Sequence, residues 1–254
     1  IEQVEQCWDA LGRVVPVEEA VMPAVYVNSA AILKAFCGEH GGLTCTSSNA
    51  RKVIEWSWAR REKILFFPDE HLGRNTANKM GIPREQMIVW DPFMPRGGNS
   101  VEAIKRAKLI LWKGHCSVHQ MFQPSHVDYF RKQYPDVKVI VHPECHQDVV
   151  NKADLVGSTE YIIRTITAAP AGTTWAVGTE LNLVNRLKHE QTDKKVFFLS
   201  STVCQCATMY RIDAPHLCWA LENLADGHVV NRIVVPDDEK QWAKVALDRM
   251  MALS

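Results

Sequence analysis

One structural unit occurs twice in this sequence, and each copy places polar residues where a buried strand should end. The first copy reads VYVNS, TCTSSNA and ILFFPDEHLGRN, and the second reads VIVHPEC, GSTEY and TTWAVGTELNLVN. The matched pairs lie 110 to 114 residues apart: Asn28 with His142, Ser47 with Ser158, Glu70 with Glu180, and Asn75 with Asn185. Ligands of parallel α/β sheets bind beyond the carboxyl ends of the strands, so the repeat predicts duplicated domains that share a site.

Short apolar runs alternate along the chain with amphipathic segments of about ten residues, the pattern of parallel βαβ layers. The length of 254 residues accommodates two α/β units of roughly a hundred residues each. The chain opens on an amphipathic helix pattern over residues 1–20 without an initiator Met. We interpret that opening as the middle of a longer polypeptide.

Composition narrows the classes of function. Acidic and basic residues balance at 29 each, and no long basic run occurs, which argues against a nucleic-acid-binding protein. The apolar stretches are far too short for a membrane span. The eight cysteines are scattered, without the tight spacing of a disulfide framework, so we predict reduced thiols.

Candidate site residues follow the predicted strands. They are Tyr26, Asn28, Ser47, Asp69, Glu70, His115, Cys116, His142, Glu144, Ser158, Thr159, Cys204 and Cys206. Each one alone is consistent with helix capping or loop hydrogen bonding, but their joint placement in both copies favours a site. Ser47 and Ser158 lie just ahead of helices, where hydroxyls and free backbone N–H groups can hold a phosphate or carboxylate. This pattern predicts a small anionic substrate.

The thiols after the strands allow a second type of chemistry. Cys116 lies 88 and 90 residues before Cys204 and Cys206, so no local zinc-finger spacing applies. Equivalent loops of related domains can still converge and bind a soft metal or an iron–sulfur cluster, while spacing alone favours inert thiols. The sequence contains no GxSxG, P-loop, GxGxxG or HExxH motif, which weakens hydrolase, NTPase and dinucleotide-binding interpretations.

Seven motifs in order, YVNSAA, TSSNA, FPDEHLGRN, KGHCSVHQMF, VHPEC, GSTEYI and CATM, closely resemble the quinolinate synthase (NadA) family of NAD biosynthesis. The resemblance covers nearly the whole chain. It implies condensation of iminoaspartate with dihydroxyacetone phosphate to quinolinate, with release of phosphate and water. It also implies three α/β domains about a pseudo-threefold axis, each supplying one Cys to a [4Fe–4S] cluster. One iron without a protein ligand would act as a Lewis acid.

The resemblance also implies roles for individual residues. Cys116 resembles the cluster ligand of the second domain and Cys206 that of the third, with Cys204 as the rival to Cys206. The residues that would line the substrate cavity are Tyr26, Asn28, Ser47, His142, Glu144, Ser158 and Thr159. Glu144 resembles a ligand or acid/base near the open iron, with Tyr26 and His142 assisting proton transfer and positioning. Ser47, Ser158 and Thr159 would hold carboxylate and phosphate groups.

Mapped onto the family, residues 1–114 form the second α/β repeat and residues 115–204 the third. Residues 205–254 form a helical segment that packs back on a first domain, which is largely absent here. The third cluster Cys would lie upstream, so we expect this chain alone to be inactive. Residues 88–108 resemble a surface elaboration.

Family analogy further predicts a cytoplasmic enzyme, a possible homodimer, and supply of iminoaspartate by an aspartate oxidase or dehydrogenase. An alternative function is a non-catalytic α/β protein that binds small anions, with structural or zinc-binding cysteines. A thiol redox protein using Cys204 and Cys206 is a weaker third possibility, because a C-x-C pair without further redox context is seldom decisive.

Overall fold

A computed structural model of the protein describes residues 1–253 and contains two parallel sheets. The first half contains α1 (Glu2–Gly12), α2 (Val17–Ala20), β1 (Val21–Tyr26), α3 (Ala31–Glu39), β2 (Leu43–Cys45), α4 (Ala50–Trp58), β3 (Lys63–Phe67), α5 (Glu70–Lys79), β4 (Met87–Trp90), α6 (Val101–Arg106) and β5 (Leu109–Trp112). The second half contains α7 (Ser117–Gln120), α8 (Pro124–Gln133), β6 (Lys138–Val141), α9 (Gln147–Lys152), β7 (Leu155–Val156), α10 (Thr159–Ala168), β8 (Thr174–Gly178), α11 (Leu181–Glu190), β9 (Lys195–Phe198), α12 (Ala214–Ala225) and α13 (Asp237–Met251). Short 3₁₀ turns occur at Arg84–Gln86, Pro95–Gly98 and Met209–Arg211.

The two sheets share the order of their first three strands. The first runs β2-β1-β3-β5-β4 and the second β7-β6-β8-β9, and every strand pair is parallel. In both, the first strand of the unit lies centrally, with the second on one side and the third on the other. The strand order therefore reverses at β1 and at β6. The loops that follow the strands on either side of this point lead to opposite faces of the sheet and leave a crevice between them.

Each sheet is the middle layer of three, because successive side chains of a strand point to opposite faces. In β1, Val21 and Val25 belong to a core with α1, α3 and α6, whereas Met22 and Ala24 belong to another with α4 and α5. The second sheet is likewise covered by α8 and α9 on one face and by α10 and α11 on the other. The predicted class, α/β with repeated parallel sheets, is confirmed. The pseudo-threefold arrangement stays a prediction.

The structure pairs the residues of the two units differently from the sequence comparison at one position. Asp69 is the N-cap of α5 and Glu180 the N-cap of α11, so these two residues are equivalent by position. The match of Glu70 with Glu180 was therefore wrong by one residue. A helix end is defined by its free N–H groups, and an acidic side chain of either length can accept from them.

Residues 88–108 are not a surface elaboration. They contain most of β4, the turn at Pro95–Gly98 and α6, and β4 pairs with β5 as the edge of the first sheet. Trp90, Ile104 and Ala107 from this range are buried in the first core. The Pro and Gly pair that suggested a loop occupies only the turn between these elements.

The C-terminal helix α13 packs on the first sheet. Arg249 Nη1 donates to the carbonyl oxygens of Gly38 and Gly42 at 3.1 and 2.6 Å, and Ala246 is fully buried. The predicted contact between residues 205–254 and a further domain stays a prediction, as do the domain bounds at 114/115 and 204/205. Within residues 1–253, no helix combines the length and apolar character needed to cross a membrane.

The contact between α3 and α13 depends on Gly38. A Cβ at this position would lie 2.0 Å from the carbonyl oxygen of Trp242, an atom fixed in the α13 backbone. We expect Gly38→Ala to lower the free energy of unfolding by about 1–3 kcal/mol, because the helices must separate. Urea denaturation measures the change. Gly12→Ala is the control, since its Cβ would meet only Val17 at 3.5 Å. Equal effects of the two substitutions would contradict the prediction.

Candidate active site at the carboxyl ends of the strands

A cavity of about 690 Å³ lies where the loops after β1, β3 and β5 meet those after β6 and β8. Nine candidate residues from the sequence line it: Tyr26, Asn28, Asp69, His115, Cys116, His142, Glu144, Thr159 and Cys206. Parallel strands point their carboxyl ends to one edge of each sheet, and here the two edges face each other. The predicted shared site between the two units thus has a physical counterpart.

Glu144 is the centre of a buried polar cluster. Its Oε2 lies 2.8 Å from Nδ1 of His119 and 3.6 Å from Nδ1 of His142. The Glu144 backbone N–H donates to His142 Nδ1 at 3.3 Å, so this nitrogen is an acceptor. The two imidazole rings stack with centroids 4.5 Å apart. All three side chains are less than a tenth exposed, so water screens their charges poorly.

Glu144, His119 and His142 have different protonation states. Burial favours the neutral form of Glu144, but His119 and His142 outweigh it and lower the carboxyl pKa below its usual value. Burial also opposes a charge on His119, yet Cys116 and Glu144 raise its pKa to about 9. Burial and the neighbouring His119 lower the pKa of His142 to about 3. At neutral pH the cluster therefore contains a carboxylate, an imidazolium and a neutral imidazole.

Cys116, His119 and Glu144 place potential metal-ligating atoms within 4.8 Å of one another. His119 Nδ1 faces the Glu144 carboxylate at 2.8 Å as an ion pair, although the pair lacks ideal hydrogen-bond geometry. A buried imidazole grouped this closely with a thiol and a carboxylate is the type of side-chain set that binds metals. The sequence analysis missed His119. Cys116 is the N-cap of α7, and a residue three positions later lies one turn above it, so the C-x-x-H spacing was the available signal.

The structure distinguishes the two rival cysteines. Cys206 lines the large cavity, whereas Cys204 is not among its lining residues. Cys206 Sγ lies 3.1 Å from Thr208 Oγ1 and accepts from the backbone N–H of Met209 at 3.5 Å. The Thr208 hydroxyl lowers the pKa of this thiol, which favours the thiolate that binds metals. Geometry therefore favours Cys206.

The chain matches the family model described as quinolinate synthetase A protein over residues 1–252. It belongs to the quinolinate synthase family. It is 57% identical to the quinolinate synthase of Rhodopirellula baltica, a match that covers all of this chain and 64% of that protein. It is 56% identical to the quinolinate synthase of Acidobacterium capsulatum, covering all of this chain and 68% of the relative. The chain thus spans about two thirds of the length of these relatives.

Two residues predicted for the substrate cavity lie next to it instead. Ser47 and Ser158 line a neighbouring pocket of about 320 Å³. Ser47 still contacts Tyr26 of the main cavity, and Tyr26 in turn contacts Glu144. Ser158 accepts from the backbone N–H of Tyr161 as the N-cap of α10. That both hydroxyls bind substrate groups stays a prediction, and the pocket that they line adjoins the large cavity through the contact of Ser47 with Tyr26.

The neighbouring pocket carries positive charge. Arg51, Lys79 and Arg164 line it together with the two serines, and no acidic side chain is among its lining residues. Within the large cavity, burial raises the pKa of Tyr26 above its usual value, so its hydroxyl stays protonated. Arg186, which the sequence analysis also missed, brings a guanidinium to the large cavity from the middle of α11.

Asn75 joins the two units directly beside the site. Its Nδ2 donates to the carbonyl oxygens of Pro143 and Cys145, both at 2.8 Å. Asn75→Asp would replace this donor by an acceptor facing two carbonyls in a buried position. We expect a loss of about 1–3 kcal/mol in the free energy of unfolding, measured by urea denaturation. Asn78→Asp on the exposed face of α5 is the matched control. A similar loss in the control would contradict the bridging role.

Proposed function

We propose that this chain forms the second and third units of a quinolinate synthase. The enzyme would condense iminoaspartate with dihydroxyacetone phosphate to quinolinate, with release of phosphate and water. The observation that carries the proposal is the convergence of Cys116 and Cys206, matched by family motif, on one cavity with the Glu144–His119–His142 cluster. It rests on family membership together with geometry that the motifs alone do not specify.

The residues present fit a [4Fe–4S] cluster in part. Cys116 and Cys206 would supply two thiolates, and His119 lies in the wall of the same cavity. The third thiolate would come from the part of the longer relatives that this chain does not span. When bound, an iron without a protein ligand supplies a Lewis acid that polarises oxygen and nitrogen groups of the substrate.

The chain's own residues would manage protons and charge. Tyr26 holds a proton on its hydroxyl beside Glu144, so it can donate one to a substrate oxygen. His142 is neutral, and its Nδ1 accepts from the Glu144 backbone N–H, so the ring proton is on Nε2. The Nε2–H group can therefore donate a hydrogen bond that orients a substrate group. Glu144 is the carboxylate that can accept a proton.

Charge complementarity supports the substrate class. Iminoaspartate carries two carboxylates, which Arg186, Asn28 and Thr159 would hold in the large cavity. The phosphate of dihydroxyacetone phosphate would lie toward the neighbouring basic pocket, beside Ser47 and Ser158. The two pockets are adjacent, since Ser47 contacts Tyr26.

Iminoaspartate is an imine that hydrolyses in water, so the enzyme would need a nearby source. An aspartate oxidase or dehydrogenase produces this compound by removing two electrons from aspartate. We propose one of these as the supplying partner, cytoplasm as the compartment and a homodimer as the assembly.

The test uses a chimera in which this chain replaces the matching part of the Rhodopirellula baltica relative, purified without oxygen. We expect about four iron and four sulfide per chain and quinolinate formation from the two substrates. This chain alone should form none. Zinc or no metal in the chimera, without quinolinate, would support the alternative of a small-anion-binding protein and overturn the proposal.

A further inference from the structure

Asp69 uses its two carboxylate oxygens in two different elements. Oδ1 accepts from the backbone N–H of Leu72 at 2.7 Å and caps α5. Oδ2 accepts from the backbone N–H of Cys116 at 3.1 Å, in the loop after β5. A helix cap needs only the first of these bonds. The second ties the cap to the residue that the family motif assigns as a cluster ligand.

A comparison within the molecule shows that the second bond is not required for capping. Glu180 is the equivalent N-cap in the second sheet, and its carboxylate accepts from the backbone N–H groups of Asn182 and Leu183. Both of these donors belong to α11, the helix that Glu180 caps. Glu180 is also partly exposed, whereas Asp69 is 95% buried, with 5% of its surface exposed. Only at Asp69 does the cap extend to a neighbouring loop.

The two loops are joined at further points. The backbone N–H of Glu70 donates to the carbonyl oxygen of Gly114 at 2.9 Å. A Cβ on Gly114 would lie 2.3 Å from the carbonyl oxygen of Pro68, so this close approach requires glycine. The loop after β5 is therefore held against the loop after β3 on both sides of His115.

Burial of the Asp69 carboxylate lowers the stability of the fold, so helix capping alone does not explain why aspartate is present. A carboxylate withdrawn from water and placed near Glu144 is disfavoured unless its hydrogen bonds compensate. A serine at the same position would cap α5 without placing that charge in the interior. What aspartate adds over serine is the second acceptor, aimed at the Cys116 backbone.

We propose that Asp69 is the positioning residue for Cys116: its second carboxylate oxygen fixes the loop so that the thiol faces the cavity where the cluster would bind. This inference rests on the proposed function. Outer groups that orient metal ligands typically change metal retention 10- to 100-fold when removed. Asp69 also lines the large cavity, and the proposed effect on the bound group is the one that passes through the backbone of Cys116.

Hydrogen exchange on the metal-free chain tests the contact directly. Asp69→Ser keeps an acceptor for Leu72 and removes the one for Cys116. We expect the Cys116 amide to exchange about tenfold faster, because its hydrogen-bond acceptor is lost, with little change at Leu72. Ser100→Ala, which removes the α6 cap far from the site, should leave the Cys116 amide unchanged. Unchanged exchange at Cys116 in Asp69→Ser would overturn the proposal.

Iron retention in the chimera tests the consequence. Iron release from Asp69→Ser to a chelator should be about 10- to 100-fold faster than from the unsubstituted protein, with the thermal midpoint of the metal-free form unchanged. Equal release rates would overturn the positioning role. Absence of iron from the unsubstituted chimera would instead overturn the proposed function, and the amide exchange of the metal-free chain would show whether Asp69 still fixes the loop.

Discussion

Serine at Cys206 should remove the iron from the chimera, whereas serine at Cys204 should leave it in place. Cys206 lines the cavity that also contains Cys116, and its thiol pKa is lowered by the Thr208 hydroxyl. Cys204 is two residues away but is not among the lining residues of that cavity. A hydroxyl binds iron far more weakly than a thiolate, so the loss in Cys206→Ser should be complete.

The measurement is iron and acid-labile sulfide per chain after anaerobic purification, together with the rate of quinolinate formation. Cys116→Ser is the reference for a lost ligand, and Cys204→Ser is the matched control with the same chemical change. We expect about four iron in the control and none in the other two. Retained iron in Cys206→Ser, with loss in Cys204→Ser, would exchange the roles of the two cysteines.

The sequence predicted the features that periodicity and strand-end chemistry control. The two parallel units follow from buried strands alternating with amphipathic helices, and Tyr26, His142 and Glu144 lie at strand ends where ligands bind. Parallel strands in these folds leave few other places for a shared site.

Other features depend on tertiary contacts, which cannot be read from the amino-acid sequence. Residues 88–108 belong to the first sheet because Trp90 and Ile104 find buried partners there, although their Pro and Gly residues resemble a loop. Ser47 and Ser158 precede helices as predicted, yet the direction of each loop places them in the neighbouring pocket. His119 escaped notice because a histidine on a short helix is usually structural, and its meaning appears only beside Glu144.

The segment of residues 203–234 exposes several large apolar side chains, and substitution in this segment should also have a large effect. Ile212 and Ile233 are 83% and 86% exposed, and α12 is exposed at Trp219 and Leu221 as well. Exposed apolar side chains concentrated in one stretch of the chain indicate a contact area. We expect the part of the longer relatives that this chain does not span to cover it, as predicted for residues 205–254.

Ile233→Glu should therefore be harmless in this chain alone and strongly destabilising in the chimera. Burying the isoleucine contributes about 1.5–3 kcal/mol, and an unpaired carboxylate in its place adds a desolvation cost, so we expect a loss of roughly 3–4 kcal/mol. Urea denaturation of both proteins measures it.

Phe93→Glu is the matched control, because Phe93 is 85% exposed but lies in the turn after β4, outside residues 203–234. It should change stability little in either protein, since a surface substitution without buried partners is usually within about 0.5 kcal/mol. An equally small effect of Ile233→Glu in the chimera would mean that the added unit leaves this surface open. The apolar residues would then need a different covering partner, and a second copy of the chain, detected by sedimentation, would be the first to examine.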